Sequence, residues 1–129
     1  MGVNRLETNG GAVIGWNASP EAAHAVRAAV SFLKNAEFVD IASVGENGEA
    51  FPQTAANAYL SRHGIASDLH ELPGSNRNAA QILHDFAVSK QASVLVMGAY
   101  GRSRLREILL GGVTRDLLAT SKIPLLLAH

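Results

Sequence analysis

The sequence predicts an α/β fold, a doubly wound parallel sheet with helices on both faces. Short apolar segments alternate with longer amphipathic ones, so that a strand-helix unit occurs four times and a final strand follows. Residues 93–97 form an apolar run typical of a strand buried on both faces of a parallel sheet. The 129 residues are enough for one domain and too few for two.

The first unit combines a short strand with a well-marked helix start. Residues 12–16 are an apolar run closed by the turn-like segment 17–20, as expected of a buried strand. Ser19 offers a capping hydroxyl, Pro20 suits the first helical position, and Glu21 places an acid in the first turn. The helix that follows carries its apolar residues on one face. They are Ala22, Ala25, Val26, Ala29, Val30 and Leu33.

The middle of the chain predicts two further units. Residues 38–44 read as the second strand, and a short helix from about residue 52 to 63 is ended by Gly64. Residues 66–72 alternate weakly, which indicates an outer strand, and Pro73 and the residues after it break that strand. The next helix is amphipathic. Its apolar positions are Ala79, Ile82, Leu83, Phe86 and Ala87.

The last part of the chain completes the alternation. After the strand at 93–97 and a glycine-bearing loop, Val113, Leu117 and Leu118 line a final helix. Residues 124–128 then form the closing strand. No linker, internal repeat or low-complexity tract interrupts this order.

Composition narrows the functional classes. Eleven basic and eleven acidic residues cancel, which argues against binding to nucleic acid or to an anionic membrane surface. No apolar run approaches the ~18 residues of a membrane span, and the polar start of the chain does not resemble a signal peptide. With no cysteine, disulfide and thiolate chemistry are excluded. We therefore expect a soluble, cytoplasmic protein.

The loop at residues 98–114 carries the chemistry. It begins where the strongest strand ends and finishes at a predicted helix start, and its glycines allow backbone N–H groups to approach an anion closely. It matches neither the P-loop nor the dinucleotide-binding glycine pattern. Two residues separate Gly98 from Gly101, and nine separate Gly101 from Gly111.

This spacing, followed by Val113-Thr114 and the later apolar run, resembles the universal stress protein family. The first strand, Asn17 and the helix start at Ser19 match as well. The resemblance covers residues 12–129 and leaves 1–11 as a polar N-terminal extension. It implies a five-stranded parallel, Rossmann-like sheet of order 3-2-1-4-5, with a ligand crevice at the switch point between strands 1 and 4.

The resemblance also implies a ligand, a site and a partner. The ligand is ATP or a related adenine nucleotide, with magnesium as a candidate companion ion. The base is expected against Gly15, Asn17 and Val44. The phosphates are expected along the loop and the start of the last helix, at Gly98, Gly101, Arg102, Gly111, Gly112, Val113 and Thr114. The partner is a second copy of the chain, paired through the C-terminal strand, where Leu125, Leu126 and Leu127 form an apolar edge.

Two departures from the family pattern predict weak binding. Asn17 stands where the family usually has Asp, and Gly112 where it prefers Ser or Thr. Each change removes a hydrogen bond or its charge, worth about 1 kcal/mol. Together they would weaken binding by about ten- to a hundredfold.

Several interpretations stay open. Arg102, Arg104, Arg106 and Arg115 either contact phosphate, with Arg102 the first candidate, or form a solvated face. Trp16 either packs as core or crevice wall, which we favour, or stacks on a base. The chain is either a short homologue or one half of a tandem protein, whose second copy it resembles.

Catalytic constellations are not evident. The five histidines lack metal-ligand spacing, and His24 and His84 fall on predicted polar helix faces, so we expect them at the surface. No nucleophile elbow occurs, and no carboxylate stands by the expected phosphates to hold magnesium. The first hypothesis is therefore a regulatory, non-catalytic nucleotide-binding protein. The alternatives are a self-association module without nucleotide and an adenylate-using enzyme of a related fold.

Overall fold

The computed structural model describes residues 10–16, 20–45, 54–74, 79–98 and 123–128. Within these residues strands and helices alternate as the sequence predicts. The strands are β1 (Ala12–Gly15), β2 (Val39–Gly45), β3 (Asp68–Pro73), β4 (Val94–Gly98) and β5 (Leu125–Ala128). The helices are α1 (Pro20–Leu33), α2 (Thr54–Arg62) and α3 (Ala79–Ser89). The predicted helix around Val113 lies outside the described residues, as does the cap at Ser19.

The five strands form one parallel sheet of order β3-β2-β1-β4-β5. This confirms the predicted order. β1 lies between β2 and β4, with Gly15 in register with Ala42 on one side and Met97 on the other. β3 and β5 are the outer strands of the described sheet.

Two apolar clusters, one on each face, hold helices to the sheet. On one face α1 and α2 cover β1, β2 and β4, with Ile14, Leu33, Ile41 and Leu60 at most 1% exposed. On the other face α3 covers Val13 and its neighbours through Leu83 and Ala87. Alternate residues of β1, β2 and β4 therefore enter opposite clusters, as strands covered on both faces require.

Helices α2 and α3 end in the same hydrogen-bond pattern. In α2, Ile65 N–H donates to Leu60 and Gly64 N–H to Ser61, and Gly64 has a φ of 77°. In α3, Ala92 N–H donates to Ala87 and Gln91 N–H to Val88. These are paired Schellman bonds around a left-handed residue. In α3 that residue is Gln91, with a φ of 58°, where glycine would be the usual choice.

Two expectations need correction. His84 is not at the surface: it is 6% exposed, because the buried stripe of α3 is wide enough to include it beside Leu83 and Ala87. Its Nδ1 lies 3.6 Å from Asp85 Oδ1. The second, third and fourth strands also end one residue later than predicted, on Gly45, Pro73 and Gly98, so Pro73 is the last residue of the third strand and does not break it. His24 is exposed, as expected.

No helix within the described ranges is both long enough and apolar enough to cross a membrane.

Candidate functional site

The carboxyl ends of β1, β2 and β4 form the candidate site. These three strands are neighbours in the sheet, and they end on Gly15, Gly45 and Gly98. The chain passes from β1 outward through β2 to β3, whereas β4 and β5 lie on the other side of β1. The edge between β1 and β4 is therefore the topological switch point, where open α/β sheets bind their ligands.

The end of β1 is tied to β2 by two hydrogen bonds beyond the strand itself. Trp16 N–H donates to the carbonyl of Ala42 at 2.8 Å. The hydroxyl of Ser43 donates to the carbonyl of Trp16, also at 2.8 Å. Ser43 is 2% exposed, so its hydroxyl bonds inside the protein. These bonds restrain the direction in which the chain leaves β1.

The side chain of Trp16 belongs to the core. It is 8% exposed and joins the cluster that α1 forms with the sheet, which includes Ile14 and Ala22. The indole therefore forms an inner wall beneath the carboxyl edge, which agrees with the favoured packing interpretation.

Gly15 is packed closely from the α3 face. A β-carbon at this position would lie 2.7 Å from Leu83 Cδ1 and 3.5 Å from Met97 Cβ. Ordinary carbon contacts are about 3.5–4.0 Å, so α3 occupies the space that a side chain would need. The glycine lets helix and strand approach each other at the site.

Three of the ten predicted site residues lie in the described structure. Gly15 and Gly98 end neighbouring strands, and Val44 is the second-last residue of β2 and half-buried. Register places Val44 two residues beyond Ala42, the partner of Gly15. The structure thus brings these three to one edge of the sheet. The other predicted residues lie outside the described ranges. They are Asn17, Gly101, Arg102, Gly111, Gly112, Val113 and Thr114.

Sequence reasoning left out two residues of this edge, Ser43 and Leu83. Ser43 is a polar residue in an otherwise apolar strand end, which was a usable signal. Leu83 looked like any other core position of α3, since its approach to Gly15 depends on tertiary packing.

A second polar cluster lies away from this edge. Asp40, 2% exposed, places Oδ1 3.0 Å from His70 Nε2 and Oδ2 3.6 Å from Lys90 Nζ. The ring of His70 is tilted against Phe86, and the ammonium of Lys90 lies 5.9 Å from the centre of the Phe38 ring. Asp40 precedes the end of β2 by five residues, about 16 Å at the usual strand rise. We therefore treat this cluster as structural.

Metal-ligating groups were a further possibility. Within the described residues no three His, Cys, Asp or Glu side chains gather closely enough to hold an ion.

Solved structures of similar fold cover nearly the whole chain. A universal stress protein in complex with cAMP is 25% identical, with a TM-score of 0.70 over 92% of this chain and 95% of its own. A universal stress protein from Archaeoglobus fulgidus in complex with dAMP is 17% identical, with a TM-score of 0.63 over 96% and 99%. Another from Archaeoglobus fulgidus DSM 4304 is 20% identical, with a TM-score of 0.71 over 99% of this chain and 46% of its own.

Sequence comparison gives the family. No curated protein sequence matches this chain. The sequence model of the universal stress protein family, in contrast, matches residues 12–129. This match and the confirmed strand order agree, and the chain belongs to the universal stress protein family.

Proposed function

We propose that this protein binds an adenine nucleotide at the carboxyl edge of β1, β2 and β4 and acts as a regulatory protein without catalysis of its own. The observation that carries the proposal is the glycine-ended switch point, with Gly15, Gly45 and Gly98 on adjacent strands. Strand ends without side chains allow a ligand to approach the backbone, except on the face of Gly15 that Leu83 already fills. The cAMP complex of a similar protein supports an adenine nucleotide as the ligand.

The base would lie at the β1–β2 side of the edge. Gly15 and Val44 stand there, and Asn17 follows β1 by two residues. An amide oxygen at Asn17 can accept a hydrogen bond from the adenine amino group. The neutral amide would bind it less tightly than a carboxylate does, by about 1 kcal/mol.

The phosphates would lie at the β4 side, beyond Gly98. The residues proposed to hold them are Gly101, Arg102, Gly111, Gly112, Val113 and Thr114, through backbone N–H groups and one guanidinium. ATP is the proposed nucleotide, with magnesium bound to its phosphates. Gly112 retains a backbone donor but offers no hydroxyl, which lowers the expected affinity further.

Calorimetric titration with ATP and magnesium tests the proposal. We expect weak but measurable binding, with GTP as the control for base selectivity. Nucleotide at about 100 times Kd should raise the stability of the native state by about 2.7 kcal/mol. Absence of both heat and a melting shift at millimolar ATP would refute it. Phosphate release on incubation with ATP would contradict the non-catalytic part alone.

Paired variants locate the site. Asn17→Asp with Gly112→Ser restores the usual groups of the family and should tighten ATP binding by about ten- to a hundredfold. Gly101→Val adds a branched side chain where close backbone approach is proposed, and should abolish binding. A folded Gly101→Val protein that binds ATP like the parent would refute the phosphate assignment.

We also propose that two copies pair through β5. β5 is an outer strand of the described sheet, and Leu125 and Leu126 are only half-buried. Leu95 N–H on β4 donates to the carbonyl of Pro124. Along a parallel strand the N–H groups of successive residues point alternately toward and away from the neighbouring strand, and this bond fixes which ones face β4. The N–H of Leu127 therefore points away from β4. An outer strand of the described sheet with outward-pointing donors and apolar side chains favours a partner strand.

Leu127→Pro tests this pairing. It removes the outward donor while leaving the ladder to β4 in place, and proline is tolerated at such edge positions. We expect a dimer for the parent and for the control Leu127→Ala, and a monomer for Leu127→Pro, by light scattering. A parent that stays monomeric at high micromolar concentration would refute pairing.

A further inference from the structure

We infer that Ser43 is a positioning residue for the nucleotide: its hydroxyl fixes the path of the chain from β1 into the proposed base-binding residue Asn17. This inference rests on the proposed function. It assigns a role to a residue that makes no direct contact with ligand in the proposed site.

Ser43 links the two strand ends that would hold the base. It directly precedes Val44 on β2, and its hydroxyl donates to the carbonyl of Trp16, which directly precedes Asn17. The two residues are 27 positions apart in the chain. One hydrogen bond therefore couples the neighbours of both proposed base contacts.

The bond acts on the peptide group where the strand stops. The carbonyl of Trp16 belongs to the peptide group that joins Trp16 to Asn17, and peptide groups are planar. β1 itself ends at Gly15, so pairing within the strand does not hold this group. Trp16 N–H is bound to Ala42 and the indole is buried, and the hydroxyl of Ser43 adds a direct restraint on the Trp16 carbonyl.

A role limited to stability explains Ser43 less well. The site is 2% exposed and adjoins an apolar cluster that contains Val39 and Ile41 on the same strand face. A small apolar residue would fill such a position without burying a hydroxyl, and a hydroxyl whose bond is made adds little net stability. The main effect of the hydroxyl is therefore to orient the peptide group that follows Trp16.

If the orientation of the chain after Trp16 is lost, we expect weaker nucleotide binding. If the chain after Trp16 samples other paths, the apparent Kd rises in inverse proportion to the fraction that remains competent. A single neutral hydrogen bond corresponds to about a fivefold change in that fraction. We therefore expect Ser43→Ala to raise the Kd for ATP by up to about fivefold.

Calorimetric titration with ATP and magnesium compares the parent with Ser43→Ala, Ser43→Thr and a matched control, Ser67→Ala. Ser67 also makes a side-chain hydrogen bond, accepting from Asn57 Nδ2 at 2.8 Å, but lies before β3 at the other end of the strands. Ser67→Ala should leave the Kd within about twofold of the parent, because that bond is remote from the site. Urea denaturation measures the stability of each variant.

Ser43→Thr separates positioning from stability. The extra methyl group overpacks a buried position and should lower the urea midpoint, yet the hydroxyl remains and the Kd should stay near that of the parent. If Ser43→Ala fails to fold, Ser43→Cys tests the same bond, because it keeps the volume with a weaker donor.

The outcomes distinguish the two proposals. A parent that binds ATP, with an unchanged Kd in the folded Ser43→Ala or Ser43→Cys protein, overturns the positioning role alone. A Kd that follows stability across the variants, including Ser43→Thr and Ser67→Ala, overturns it too. A parent that binds no ATP overturns the proposed function, and this inference with it.

Discussion

Replacing Gly15 by alanine tests how tightly α3 is fitted to the end of β1. The new methyl group would lie 2.7 Å from Leu83 Cδ1, about 1 Å closer than an ordinary carbon contact. Leu83 is 3% exposed and packs with Ala87 and Met97, so it has little room to turn aside. We expect Gly15→Ala to destabilise the protein.

The magnitude follows from three opposing contributions. Overpacking in a well-packed core costs about 1–3 kcal/mol. Burial of the methyl group returns about 0.8 kcal/mol. Alanine also has less conformational entropy than glycine in the unfolded chain, which stabilises the folded protein by about a further 0.4–1 kcal/mol. The sum runs from a gain of about 0.8 to a loss of about 1.8 kcal/mol of unfolding free energy and centres on a loss of about 0.5 kcal/mol, which is too small by itself to identify the contact.

A double-mutant cycle makes the contact measurable. Leu83→Ala alone should cost about 2–5 kcal/mol, because it leaves a cavity. In that background the methyl group of Gly15→Ala fills part of the cavity, so that only the two favourable contributions remain and the change should stabilise by about 1–2 kcal/mol. The sign of the Gly15→Ala effect is thus expected to reverse.

Urea unfolding of the four proteins, followed by the fluorescence of Trp16 and by circular dichroism, measures the cycle. The two probes must give coincident transitions for the free energies to be valid. Additive effects, within about 0.5 kcal/mol, would refute the close contact between Gly15 and Leu83.

Two further predictions concern residues away from the site. Gln91→Gly should stabilise the protein by about 0.5–1 kcal/mol and raise Tm by roughly 2–5 °C, because a left-handed residue costs less without a β-carbon. Gly64→Gln should destabilise it and lower Tm by similar amounts. Tm values equal to that of the parent in calorimetry would contradict both expectations. Lys90→Met should cost about 1–3 kcal/mol, since Asp40 Oδ2 is buried and its nearest cation, 3.6 Å away, is lost. In an Asp40→Leu background the same change should be nearly neutral in urea unfolding, and an equal cost in both backgrounds would rule out the ion pair.

The order of strands and helices could be predicted because it rests on local patterns. The β4 segment is apolar throughout, and the structure buries all of Val94–Gly98 between two layers of helices. The weak alternation around residue 70 predicted an outer strand, and β3 is one, with an exposed Leu69. Such patterns reflect how deeply each segment is buried, and the position of the segment in the sheet largely determines that burial.

Details that depend on neighbours distant in sequence were not predictable. His84 looks polar on a helical projection, but the width of the buried stripe is decided by how α3 lies on the sheet. The left-handed Gln91 gives no sequence signal, since glycine usually marks that position. The ion pair of Asp40 with Lys90 joins residues fifty positions apart, and nothing in either segment indicates it.

The candidate site also has features that the sequence predicts and features that it does not. Its location follows from topology, because the carboxyl ends of β1, β2 and β4 meet wherever the strand order reverses. Glycine spacing and resemblance then indicate which residues to expect there, and Gly15, Val44 and Gly98 lie at that edge. What neither source indicates is the support beneath them. Leu83 presses on Gly15 from one face, and Ser43 holds the peptide after Trp16 from the neighbouring strand.

That support bears on how the unusual residues should be interpreted. Asn17 removes a charge and Gly112 removes a hydroxyl from the expected ligand contacts, which should lower affinity but leaves the strand edge itself intact. A rigid edge keeps the cost of ordering the site low, so losses of about 1 kcal/mol at two positions weaken binding and do not abolish it. The decisive comparison is the restored pair Asn17→Asp and Gly112→Ser: tighter ATP binding than in the parent would attribute the weakness to these two positions, whereas an unchanged Kd would attribute it to the other residues of the proposed site.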